Sequence, residues 1–242
     1  LGPAITNHAS VDLQATDRTV RNLRFSNPNR SYTVASSGGG KLVFEASAGP
    51  ASIQFEIGNQ AAHEITAPVR FKSDMEFRGL FEEAPGRLTL SGGQAWDPGK
   101  TFTVKSGTLR YNLEQADQVI SDGDNTLVID EGAAVELAGT RTPLSGSHSI
   151  LATVTHIDVV NNSLAGFLIT AGNHAAGAVT GTGSTSISNA ASLSAEVIRQ
   201  SALTINAGSR VTLRSSGSGA GASVLGSLSL AGTPSAPTAT LH

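Results

Sequence analysis

Apolar and polar residues alternate at every second position in short runs along this chain. Examples are Lys41-Leu42-Val43-Phe44-Glu45, Arg87-Leu88-Thr89-Leu90, Thr101-Phe102-Thr103-Val104 and Thr126-Leu127-Val128-Ile129. Leu203-Thr204-Ile205 and Val211-Thr212-Leu213 continue the pattern. Successive side chains of a strand point to opposite faces, so this period predicts strands with one buried face. Glycine-rich breaks separate them at residues 37–40, 91–93, 106–107 and 215–221. No long apolar stripe with helical spacing survives, and the nearest candidate, residues 193–203, begins as alternation and lacks caps. The chain is predicted to be all-β.

A repeat narrows the architecture. The unit is apolar-x-apolar, polar residues, a small residue, then apolar-x-apolar again. It occurs as Phe102-Thr-Val-Lys-Ser-Gly-Thr-Leu109-Arg-Tyr111, as Leu127 through Leu137, and as Leu203 through Leu213. A weaker copy surrounds Ile187 and Leu193. Equivalent positions lie 25 residues apart from Val104 to Ile129 and 18 apart from Ile187 to Ile205. Such steps match one coil of a solenoid, whereas a propeller blade repeats at about 40–45 residues. Short strands joined by a small corner residue cannot bury their apolar face alone, but coils stacked at ~4.8 Å can. The expectation is a right-handed parallel β-helix (β-solenoid), a single stack with irregular loops.

Composition agrees with an extended β framework. Charged residues make up 14% and aromatics 5% of 242 residues, with 27 glycines; ordinary domains carry about 25% charged residues. Residues 1–120 hold 12 basic and 12 acidic residues, against 4 and 7 in residues 121–242. We therefore expect one continuous solenoid over 1–242, more decorated in its first half, with the change of texture marking a subdivision near 113–121. Cysteine is absent, which excludes disulfides and thiolate chemistry. A net charge of −3 carries no nucleic-acid footprint, and no run of ~18 apolar residues predicts a membrane span. The start at Leu1 and the stop at Thr240-Leu241-His242, inside a strand-like pattern, suggest a piece of a longer protein.

Thr19-Val-Arg-Asn-Leu-Arg-Phe25, Tyr32-Thr-Val34, Gly40-Lys-Leu-Val-Phe44, Ile65-Thr-Ala-Pro-Val69 and Gly86-Arg-Leu-Thr-Leu-Ser-Gly-Gly93 resemble autotransporter-associated β-strand repeats. Residues 203–213 and Leu225-Gly-Ser-Leu-Ser-Leu-Ala-Gly232 are similar to the tail region of the same proteins. These are long secreted, passenger-like proteins, notably of planctomycetes. The resemblance implies a right-handed β-helix, export, and a surface or passenger role, and it brings no catalytic residue with it.

Candidate chemistry is sparse. Asp122-Gly-Asp124-Asn125 is the best calcium candidate, since calcium takes six to eight oxygens. It lacks both the length and the closing Glu of an EF-hand loop, so an Asx-rich turn is the simpler reading. No cofactor is expected, with calcium as the one candidate ion. Trp96, within Gly93-Gln-Ala-Trp96-Asp97-Pro98-Gly99, is either an exposed ligand or partner contact or the cover of a corner. A polysaccharide lyase or hydrolase would need gathered carboxylates with a basic partner, which Asp117, Asp122, Asp124, Asp130 and Glu131 with Arg110 or Arg141 could supply. The chain is expected not to be an enzyme. The leading expectation is a secreted or bacterial cell-surface scaffold, self-associating into fibres or a surface layer. An adhesin or glycan-binding module comes second and the polysaccharide-degrading enzyme third. Expected partners are copies of itself, neighbouring segments of its parent protein, or surface polysaccharide, with no nucleic acid.

Overall fold

The computed structural model describes residues 10–26, 30–55, 62–79, 86–112, 119–121, 125–139, 145–146, 155–164, 166–214 and 222–242. All regular structure among them is β; no helix occurs, and hence none long and apolar enough to cross a membrane. Most of the expected subdivision at 113–121 lies outside the described residues.

Two long strands decide the topology. Thr101–Tyr111 pairs through Phe102 to Val104 with Thr126–Ile129, and through Gly107 to Tyr111 with Ala133–Leu137. Val197–Ile205 likewise pairs near its start with Ala178–Thr180 and near its end with Ser184–Ile187. Asp158–Asn161 completes one side between them and Phe167–Ile169 the other. Eight strands thus close into a ring, a parallel β-barrel by its hydrogen-bond pairing, with the remaining strands outside it.

This closure corrects the single-stack, right-handed β-helix (β-solenoid) expected from the sequence. Alternation fixes the buried face and the step between partners, but not where a strand ends. Ser106-Gly107 reads as a break between two short strands. In the structure Gly107, with φ of 77°, lets one strand turn a corner while staying extended, after a register irregularity between Val104 and Ser106. One strand then belongs to two ladders, and two such strands close the ring.

Outside the ring, Ser10–Asp12, Thr33–Ala35, Ala62–Ile65 and Arg87–Leu90 lead in parallel to the second half of Thr101–Tyr111. Asn22–Phe25, Ala51–Phe55 and Met75–Gly79 lead to its first half. A separate five-stranded sheet runs from Arg18–Val20 to Val119–Ser121, and a four-stranded one from Asn173–Ala175 to Thr240–Leu241.

The expected steps reappear as register: Val104 lies opposite Ile129, and Ile187 opposite Ile205. Like residues therefore line up across neighbouring strands. One buried row runs from Val34 through Ile65, Leu90 and Tyr111 to Leu137, and on through Ile169 and Ile187 to Ile205. Burying each such side chain is worth roughly 1.5–3 kcal/mol, so the rows carry the fold.

A neighbouring inward row contains a histidine. His63, opposite Leu88, is fully buried, stacked 4.2 Å from the Phe25 ring and edge-on to Phe55 at 4.6 Å. Its Nδ1 accepts a hydrogen bond from the Tyr32 backbone N–H at 3.1 Å, which places the ring proton on Nε2. Burial disfavours the imidazolium and lowers the pKa from 6.5 to about 4. Between these values the unfolded chain binds a proton that the native chain refuses. The stabilisation is complete above pH 6.5 and falls as pH drops towards 4, by about 3 kcal/mol in all. Urea unfolding of wild type and His63→Leu at pH 7.5 and 4.5 is expected to show a smaller acid-induced loss in the variant. An equal loss in both would place the acid sensitivity elsewhere.

Candidate assembly edge

The residues that the sequence puts forward for chemistry scatter in the structure. Asp122 and Asp124 lie outside the described residues, as do Asp117 and Arg141. Asn125 is buried, and its Oδ1 accepts a hydrogen bond from the Lys100 backbone N–H at 2.7 Å, the work of a corner residue. Asp130 pairs with Lys105 at 2.9 Å, and Arg110 stands 3.6 Å from Glu136, its register partner on the next strand. Glu131 is exposed beside a turn glycine. Among the described residues no three His, Asp or Glu side chains gather as a metal site would need. Nothing positive indicates catalysis, although closed parallel barrels do host enzymes.

Trp96 is not a surface contact. It is 2% exposed on the strand Gln94–Trp96, in register with Phe71. Its ring lies 5.4 Å from Phe71 and 5.8 Å from Phe102, and its Nε1–H donates to Gln94 Oε1 at 3.4 Å. The turn that suggests exposure follows the tryptophan rather than containing it.

Sequence reasoning misses a buried polar cluster at the corner of Val197–Ile205. Gln200 Nε2 donates to the Thr180 carbonyl at 3.2 Å, and its Oε1 accepts from the Thr185 hydroxyl. Asn161 donates through Nδ2 to the Ser184 carbonyl at 2.7 Å and accepts through Oδ1 from the Ser163 N–H at 3.0 Å. These side chains occupy inward positions but serve backbone groups that the turning strand leaves without ladder partners. Their role is to hold the corner.

The most unusual surface is the strand Val224–Leu230. It pairs in parallel with Val197–Ile205 on one side, and among the described residues nothing pairs with its other edge. Leu228 and Leu230 lie opposite Leu203 and Ile205, which are fully buried, and so extend both inward rows by one step. They remain 45% and 41% exposed, and Val224 is 61% exposed. Gly226 permits the close approach to the previous strand: a Cβ there would sit 2.6 Å from the Ser201 carbonyl oxygen.

Natural sheets usually blunt such an edge with lysine, proline, a bulge or a covering segment. Here the sequence carries no Asp, Glu, Lys or Arg between Arg214 and the C-terminal His242, and the strand itself holds no proline. Uncharged Val-Leu-Gly-Ser-Leu-Ser-Leu, with one backbone edge unpaired among the described residues, is chemically a template for another strand. No family model, curated protein or solved structure matches this chain.

Proposed function

We propose that this chain is an extracellular or cell-surface structural scaffold that is extended by strand addition at Val224–Leu230. The observation that carries this reading is the exposure of Leu228 and Leu230 at the end of rows that are buried from Val34 to Ile205 and from His63 to Leu203. A packed framework gains by covering such residues, at roughly 25 cal/mol per Å² of apolar surface. The cross-strand ion pairs Arg70–Asp97 and Lys72–Glu45, at 3.0 and 3.1 Å, sit on outer faces and suit a rigid body presented to water. The location is what the resemblance to autotransporter-associated repeats implies, and it is the part of the reading that labelling of intact cells decides. With Trp96 buried, the glycan-binding reading loses the side chain put forward for it.

Immunolabelling and protease shaving of intact source cells test the proposal. The protein is expected to be reached from outside and to fractionate with the envelope or the extracellular matrix. Confinement to the cytoplasm, or release of unsaturated products from acidic polysaccharides by the purified chain, would overturn it.

A further inference from the structure

We infer that the occupant of the Val224–Leu230 edge is a second copy of this chain, joined head to tail through its first strand, Ser10–Asp12. This rests on the same exposed strand as the scaffold reading and adds the identity and direction of the partner.

The two strands are the opposite free edges of one sheet. Ser10–Asp12 pairs only with Thr33–Ala35, and Val224–Leu230 only with Val197–Ile205, among the described residues. Every ladder along the path between them is parallel, so a first strand laid in parallel on Val224–Leu230 continues the same strand direction. The rows also match. Val11 lies opposite Val34 and begins the row that Leu230 ends, so setting Val11 over Leu230 continues a single line of apolar side chains across the joint. Ser10 then meets Ser229, and Asp12 meets Ala231.

The first strands need a cover as the last one does. Val11, Val20 and Leu23 are only half-buried, although their register partners Val34, Phe44 and Ile53 are fully so. A two-fold dimer through Val224–Leu230 would leave these three residues uncovered, whereas head-to-tail contact covers both ends at once. Charge agrees with that choice. The first strands and their loops expose Asp12, Asp17, Arg18, Arg21 and Arg24, while the strand Val224–Leu230 itself carries no charged side chain to repel them. A head-to-tail contact joins unlike surfaces, and where its rotation does not close a ring it generates an open, polar filament.

Sedimentation velocity and negative-stain microscopy over a wide concentration range, on wild type, Leu230→Lys and Val11→Lys, test this joint. Wild type is expected to form unbranched rods one molecule wide that lengthen with concentration. Each variant alone is expected to need about 100-fold or more concentration to associate, because a lysine would be buried unpaired. Mixed together, the variants retain one intact head and one intact tail, so they are expected to form dimers and nothing longer. Both substituted sites are solvent-accessible, and unchanged thermal melts of the separate variants verify that they fold. A wild type that stays monomeric, a wild type that stops at dimers, or a Val11→Lys chain that associates as wild type does would overturn the joint. Monomers on the surface of intact cells would defeat this inference and spare the scaffold reading; rods from a cytoplasmic protein would do the reverse.

Discussion

Gly107→Ala is expected to destabilise the protein by about 3–4 kcal/mol, while Gly99→Ala costs only about 1. The two glycines share nearly the same φ, 77° and 69°, so the strain of a positive φ on leaving glycine is common to both. They differ in surroundings. A Cβ on Gly107 would lie 2.8 Å from the Gly86 carbonyl oxygen and 2.9 Å from the Gly79 Cα, whereas one on Gly99 meets nothing within 4 Å. Gly107 also sits where Thr101–Tyr111 turns from one ladder to the next, so pushing it outward strains the closure of the ring. Chemical denaturation of the two variants provides the comparison. Equal losses would mean that the corner has room to spare and that close packing does not hold it.

The second large effect belongs to Trp96→Ala, expected to cost about 3–5 kcal/mol as a large-to-small change in a closed core. Phe71 and Phe102 flank the indole, and removing it leaves a cavity that two strands in fixed register cannot collapse to fill. Trp96 is the only tryptophan, so its emission reports the same site. Native protein is expected to resist acrylamide quenching, and resistance should vanish on unfolding. Ready quenching in the native state, or a stability loss below about 1 kcal/mol, would return Trp96 to the surface as a contact residue.

Much of this architecture is legible in the amino acids. Alternation and glycine spacing record the step between partners, which is why Val104–Ile129 and Ile187–Ile205 emerge as pairs before any coordinates. Ring closure is not legible, because a glycine that bends a strand and a glycine that ends one look alike in sequence. Ser106-Gly107 is the former, and Thr101–Tyr111 runs through it for 11 residues. Polar residues at inward positions also blur the pattern. Gln94 hides the strand that buries Trp96, and His63, Thr185 and Gln200 interrupt rows that are otherwise apolar.

The assembly edge was half legible. Leu225-Gly-Ser-Leu-Ser-Leu reads as a strand like any other, and its lack of charge is plain in the sequence. What sets it apart is that Leu228 and Leu230 stand last in their rows, with nothing among the described residues paired beyond them, which is a property of strand order and not of local composition. The calcium candidate shows the converse. Asn125 belongs to a loop sequence suited to ions, yet its oxygen is taken by the Lys100 N–H, because a corner must satisfy its own backbone first.

Hydrogen exchange of the terminal strand at low and high protein concentration examines the central claim most directly. In Val224–Leu230 the amides facing Val197–Ile205 are already engaged, while those facing the free edge have no ladder partner among the described residues. Slowing of this second set as concentration rises, with the buried strand Ser184–Ile187 unchanged, is the expected result. Exchange of the free-edge amides at one rate across the whole range would contradict the claim that this strand is where the scaffold grows.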